Sequence, residues 1–172
     1  MGIMANPFYL DLGFTKTEIA QIVKIYGFVM TVLGAAIGGL AVVRFGIAMP
    51  LLLGAILISI SNLLFAWLAI KGADANLLIL TISADNLSTG IAGSVFIAYL
   101  SSLTNTAYTA TQYALFSSLM TLPGKFLSGF SGLVVEAQGF SAFFTLTALL
   151  GLPAILLVVY LIRKTKNRLL RF

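Results

Sequence analysis

The stretch "LTISADNLSTGIAGSVFIAYLSSL" (residues 80–103) decides the fold class of this chain. It is an almost unbroken apolar run, and a helix needs about 20 such residues to cross the hydrocarbon core of a bilayer. One carboxylate, that of Asp85, lies in its first third. An ionisable side chain within a span is costly, so it is expected to face a cavity or a partner. The stretch therefore predicts a spanning helix in which Asp85 is a candidate functional residue.

The composition of the whole chain agrees with this interpretation. Of 172 residues, 60% are hydrophobic and 9% are charged, with a mean hydropathy of +1.07. Soluble domains have about 25% charged residues, and long unbroken apolar runs indicate helices rather than barrel strands. The sequence predicts an all-α integral membrane protein.

The residue types that are missing exclude several functions. There is no cysteine and no histidine, which removes disulfides, thiolate catalysis, histidine-based metal sites and Ser-His-Asp triads. No paired carboxylates or nucleophile–base set lies on one face, so an enzyme is not expected, and neither is a cofactor. The net charge of +5 does not indicate nucleic acid, because half of the ten Lys and Arg residues are in the last ten positions.

Five apolar segments have spanning length, and the bilayer is the first expected partner. They cover residues 17–43, 47–70, 76–103, 109–135 and 141–162, followed by a basic tail, 163–172. Thr17 is the expected N-cap of the first segment, and the second is broken at its start by Pro50. The short connections predict antiparallel neighbours in sequence order. We treat 1–172 as one partial transmembrane domain.

Loop charges predict the orientation. Arg44 and the tail place six basic residues and no acid on one side, whereas the other side has two lysines and four acids. Basic loops lie in the cytoplasm, so the C-terminus is expected there and the N-terminus outside. The N-terminal segment has no signal peptide and looks like an interfacial loop with a helix start. With an odd number of spans, this suggests that at least one span is missing upstream.

Three charges lie more than one turn inside predicted spans: Lys24, Asp85 and Lys125. Lys24 either snorkels to the interface or lines a cavity. Asp85 and Lys125 lie about 13 and 15 Å deep on consecutive helices, counted at 1.5 Å per residue. They form either a structural ion pair or a proton- or substrate-responsive pair on an aqueous path, and these two interpretations are compatible.

Other polar and helix-breaking residues surround these charges. Asn86 is beside Asp85, and Gln112 belongs to the polar residues that precede Lys125, so both are candidates for the transport path. Pro123 and Gly124 predict a helix break there. Tyrosines near span ends either anchor the interface or stack on a sugar.

Longer stretches resemble a known family. "PFYLDLGFTKTEIA", "DNLSTGIAGSVFIAYLSSLTNTAYTATQYALFSSL" and "SGLVVEAQGF" are similar to the C-terminal half of AmpG-type muropeptide permeases of the major facilitator superfamily, from Asn6 to about Ile162. "GGLAVVRFG" resembles a degenerate form of that superfamily's G-x-x-x-D-R-x-G loop, with Val43 in place of the acid and Arg44 retained.

The resemblance implies helices 8 to 12 of a twelve-helix permease, with the substrate site between two halves. It places Lys24, Asp85 and Lys125 on helices that line the central cavity. It also implies proton-driven import of anhydro-muropeptides through the bacterial inner membrane for cell-wall recycling. Related branches carry acetyl-CoA or other solutes.

Two interpretations remain open from the sequence. The chain is part of a permease and works with a separate chain, or a longer reading frame, that supplies the missing helices. Alternatively, it is a non-transporting remnant or accessory bundle. A channel is a remote option, since no ring-forming motif repeats.

Overall fold

A computed structural model describes residues 2–104 and 109–169 of the chain. Over this part the chain is all-α, as predicted. Its helices are α1 (Gly2–Asp11), α2 (Lys16–Phe45), α3 (Ala48–Lys71), α4 (Ala75–Leu103), α5 (Thr109–Ser128) and α6 (Ser131–Leu169). α2 is a continuous rod with a π-helical segment, Ile19–Tyr26, between α-helical Lys16–Glu18 and Gly27–Phe45. In α6, one residue with non-helical backbone angles, Gly139 (φ 78°), separates residues 131–138 from 140–169.

Within the described residues, three helices are long and apolar enough to cross a membrane. They are α2, α3 and the part of α6 from Ser131 to Lys164. These helices make the chain an all-α membrane protein. The crossing of the bilayer by α4 and α5, which contain more polar residues, stays a prediction.

Glycines close two of the helices. The amide of Gly46 donates to the carbonyl of Val42 at 2.9 Å after α2, and Gly72 donates to Leu68 at 3.0 Å after α3. Both glycines have positive φ, 73° and 87°, which side chains with a Cβ rarely adopt. The chain therefore reverses within a few residues, and consecutive helices run antiparallel.

A capping box begins α2, two residues before the predicted cap. Thr15 is the N-cap, and its amide and hydroxyl donate to the Glu18 carboxylate at 2.8 and 2.7 Å. The Glu18 amide donates back to the Thr15 hydroxyl at 3.3 Å. Thr17 lies inside the first turn, so its prediction as N-cap was wrong. The Thr-x-x-Glu spacing was the available signal.

The N-terminal segment is a helix with a buried face, in contrast to the predicted interfacial loop. Phe8 and Tyr9 of α1 are buried, and their rings are 5.6 Å apart. The Phe8 ring also contacts Phe65 of α3 and Phe144 of α6, with centroids 6.1 and 4.7 Å apart. Aromatic burial thus ties α1 to α3 and α6.

The helix break predicted at Pro123–Gly124 is found at residues 129–130 instead. The chain stays α-helical through both residues as far as Ser128, where α5 ends. A turn at 129–130 follows, and residues 131–135, predicted to belong to the same span, begin α6 instead. α6 continues to Leu169 through most of the predicted tail, and residues 170–172 lie outside the described part.

Packing does not follow chain order. α2 packs mainly on α4, and α3 packs on α4 at one side and on α6 at the other. The contacts of α2 with α4 advance in the same direction along both helices, from Tyr26–Ser83 to Gly38–Ser94. The α2–α4 pair is therefore parallel, and the prediction that sequence neighbours pack side by side fails for α2 and α3. α5 contacts mainly α4, and only sparsely.

Candidate functional site

Glycines bring α2 and α4 into backbone contact. A Cβ on Gly90 of α4 would lie 2.8 Å from the Ala35 amide nitrogen and still closer to the Thr31 carbonyl oxygen. Gly34 and Gly38 face α4 in the same way, against Leu87 and the Ile91–Ser94 turn. Small residues allow helices in membranes to approach this closely. The GxxxG of Gly34 and Gly38 therefore serves packing within the chain.

Side-chain hydrogen bonds cross the same interface. The Thr31 hydroxyl contacts the Asn86 carbonyl oxygen at 3.0 Å, and the Tyr26 and Ser83 hydroxyls are 2.9 Å apart. The Asn86 amide donates to the Ile82 carbonyl at 3.0 Å. Asn86, predicted to line the transport path, is thus bonded into the α2–α4 interface. These bonds fix the rotation of α4 and with it the direction in which Asp85 points.

Asp85 faces α3. The Ser61 hydroxyl lies 3.1 Å from the Asp85 carboxylate and shares its one proton between this oxygen and the Ile58 carbonyl, 2.9 Å away. Ser61 is itself fully buried. Asp85 is half-buried among apolar helices. A neutral hydroxyl stabilises a carboxylate less than a cation does, and no Lys or Arg of the described residues forms an ion pair with Asp85.

Lys125 does not pair with Asp85. The ion pair found among the described residues joins Lys71 and Asp74, 2.7 Å apart, at the α3–α4 turn. Lys125 is exposed on α5. Equal depth on consecutive helices was not enough to predict a contact, because α5 packs only sparsely on α4.

The other predicted residues are spread over the molecule. Lys24 lies in the π-helical segment of α2 and lines a cavity against α1. Gln112 is half-buried on α5. Arg44 is exposed near the end of α2, with its guanidinium carbon 5.5 Å from the centroid of the Phe45 ring. The structure brings Asp85 and Asn86 together on α4, and it does not gather the remaining candidates around them.

Two buried polar residues of α3 were not predicted from the sequence. Ser61 and Asn62 are buried in α3, in the motif "SISN" (residues 59–62). The Asn62 amide donates to the Ile58 carbonyl at 2.9 Å, while its carbonyl oxygen has no hydrogen-bond partner within the described part of the chain. Three polar residues in four positions of an apolar span were the signal, since a buried polar group needs a partner.

Metal binding has no structural support in the part of the chain that the structure covers. No group of three or more acidic, His or Cys side chains comes together in residues 2–104 and 109–169.

Comparison with known proteins identifies relatives over nearly the whole chain. A Rickettsia conorii protein named as a transporter, AmpG 4, is 35% identical over 161 residues, 94% of this chain and 39% of its own length. Rickettsia prowazekii AmpG 3 is 36% identical over 87% of this chain and 36% of its own. Rickettsia bellii AmpG 1 is 32% identical over 98% and 40%.

The chain spans about two fifths of the length of these curated relatives. No family model matches it, and no solved structure does. The names of the relatives describe a non-enzyme class, in agreement with the absence of catalytic groups expected from the sequence. Over nearly all of its length, this chain is homologous to part of an AmpG-type transporter.

Proposed function

We propose that the chain forms part of a proton-coupled permease that imports anhydro-muropeptides across the bacterial inner membrane, with its C-terminus in the cytoplasm. The observation that carries this proposal is the 35% identity, over 94% of the chain, to a protein named as a transporter. The excess of Lys and Arg on the tail side supports the orientation.

Asp85 is the proposed proton-carrying group. It is the acid of α4, it lies in the interior of the predicted span, and the side chain hydrogen-bonded to it is the neutral Ser61 hydroxyl. Binding or release of a proton at the Asp85 carboxylate changes the charge that faces α3 by one unit. In a low-dielectric setting, that change alters helix contacts enough to couple proton movement to a change of conformation.

A further chain, or further helices of the same protein, are proposed to complete the site. α5 is exposed along much of its length, with large apolar side chains such as Leu119, Leu122 and Phe126 at the surface. In a transporter built from repeats, the substrate lies between bundles. The alternative is a non-transporting accessory bundle, in which lipid alone covers this apolar surface of α5.

Uptake measured in cells that lack their own muropeptide permease tests the proposal. This chain would be produced with and without a second chain that carries the part of Rickettsia conorii AmpG 4 to which it does not align. Labelled anhydro-muropeptide and labelled acetyl-CoA would be offered separately, with and without a protonophore.

We expect muropeptide uptake when both chains are present, abolished by the protonophore. Asp85→Asn should lower it at least about tenfold, as intramembrane proton carriers do on neutralisation. Glu136→Gln, at an exposed acid, is the matched control and should leave it unchanged. Uptake of acetyl-CoA without uptake of muropeptide would show that acetyl-CoA is the substrate instead. Uptake insensitive to Asp85→Asn would overturn the coupling role, and no uptake with both chains in the membrane would favour the accessory bundle.

A further inference from the structure

A cavity between α1 and α2, open to the surface and lined by residues that are exposed except for Ile19, is separate from the Asp85 site. Its volume is about 280 Å³, and α1 contributes Asn6 and Leu10. The lining residues from α2 are Lys16, Ile19, Ala20 and Lys24. Two ammonium groups and one amide are therefore the polar side chains of an otherwise apolar wall.

The π-helical segment moves Lys24 towards the middle of this wall. In an α-helix of 3.6 residues per turn, position 23 would lie in the middle of the face formed by 16, 19 and 20, and position 24 would lie at its edge. Hydrogen bonds from i to i+5 widen each turn over Ile19–Tyr26 and rotate the face to position 24. Lys24 consequently lines the cavity with Lys16, and Val23 packs against the buried core instead. π-helical turns occur frequently at functional sites.

The acids nearest to this wall are engaged elsewhere. Among the residues that the structure describes, no acidic one lines the cavity. Glu18, the nearest acid in sequence, is engaged by Thr15 in the capping box. Asp11, at the end of α1, lines a different cavity with Gln138 and Ser141. The wall thus presents two positive charges and an amide donor to whatever enters.

We propose that Lys16, Lys24 and Asn6 form a binding site for one oxyanion group, a carboxylate or a phosphate. Two ammonium groups make charge-assisted hydrogen bonds with such a group, and the Asn6 amide adds a neutral donor. A volume of about 280 Å³ suits a single anionic head group rather than a whole disaccharide-peptide. A solute carboxylate and a lipid phosphate share this chemistry, and the site does not require transport to exist.

Protection of lysines from acylation tests the site. The chain would be held in nanodiscs of phosphatidylcholine and treated with an amine-acylating reagent, and labelling at each lysine would be read by mass spectrometry. Acetate and inorganic phosphate would be titrated separately at constant ionic strength. In another arm, phosphatidylglycerol would replace part of the lipid. Lys125, exposed on α5, is the internal reference.

The expected result is a severalfold decrease in labelling of Lys16 and Lys24 together, with Lys125 unchanged. Protection by acetate or phosphate assigns a soluble oxyanion, and protection by phosphatidylglycerol alone assigns a lipid headgroup. In Lys16→Gln, the apparent affinity measured at Lys24 should weaken about tenfold, since one charge-assisted bond is lost, whereas Lys125→Gln should leave it unchanged. No protection in any arm, equal protection of Lys125, or an unaffected Lys24 in Lys16→Gln would overturn the proposal.

Discussion

Gly90 is the residue at which α4 comes closest to α2. A Cβ there would lie 3.0 Å from the Gly34 carbonyl carbon, and backbone atoms of Thr31 and Ala35 are also within contact distance. None of these atoms is the end of a flexible side chain, so the helices would have to separate. We expect Gly90→Ala to destabilise the bundle by about 1–3 kcal/mol, as overpacking does, and a thermal melt in detergent micelles measures this.

Gly93, on the same helix, provides the control. A Cβ at Gly93 would meet nothing within 4 Å, and alanine is the better helix former by up to about 1 kcal/mol. Gly93→Ala should therefore leave the melting temperature unchanged or raise it slightly. Equal melting temperatures for the two variants would show that α2 and α4 do not pack as described.

Asp74 has a pH-dependent role at the α3–α4 turn. The Lys71 ammonium, hydrogen-bonded to its carboxylate, and then the Leu77 amide, lower the Asp74 pKa below its ordinary value of 3.8. Since the folded-state pKa is the lower one, the stabilisation is present above pH 3.8 and is lost as the pH falls through the lowered value. Lys71→Met should shift the Asp74 pKa upward, measured by carboxyl NMR. An unchanged pKa would mean that the ion pair does not persist in solution.

The start of α2 is governed by Thr15 and not by Thr17. Replacing an N-cap threonine by alanine costs about 1 kcal/mol. We expect Thr15→Ala to speed amide hydrogen exchange in the first turn of α2 roughly fivefold, as that free energy implies. Thr17→Ala removes a threonine that does not cap, so it is the matched control, and its exchange rates should equal those of the unchanged chain. The reverse ranking would restore Thr17 as the cap.

Helix boundaries show how far local signals reach. The Thr-x-x-Glu motif at residues 15–18 and Asp74 mark helix starts, and Gly46 and Gly72 mark helix ends. Each signal acts through hydrogen bonds to residues a few positions away, so it is visible in the sequence. Pro123 predicted a helix break that the structure does not show, since α5 stays helical through this residue as far as Ser128. The π-helical segment, Ile19–Tyr26, carries no such motif.

The whole molecule depends on an aromatic cluster that closes one end of the bundle. The Phe8 side chain is 0% exposed and contacts Phe65, Phe140 and Phe144. We expect Phe8→Ala to cost about 3–5 kcal/mol and to release α1 from α3 and α6. Limited proteolysis near Gly13, together with a thermal melt, measures both effects.

Phe28 is the control for this prediction. Its side chain is 69% exposed on α2, so Phe28→Ala removes apolar area without opening a cavity inside the bundle. We expect its melting temperature and proteolysis pattern to match those of the unchanged chain. If Phe8→Ala behaved in the same way, α1 would not contribute to the core.

The sequence by itself determined that the chain is an all-α membrane protein, since the length and polarity of apolar runs are local properties. It also singled out Asp85, because one carboxylate in such a run stands out without any structure. The tertiary structure alone decided that Ser61 and not Lys125 contacts Asp85, that α2 pairs in parallel with α4, and that Lys24 joins Lys16 in a cavity against α1. These outcomes depend on the rotation of each helix about its axis and on its choice of neighbour. Both are set by contacts between residues far apart in the chain, which no count of positions along one helix contains.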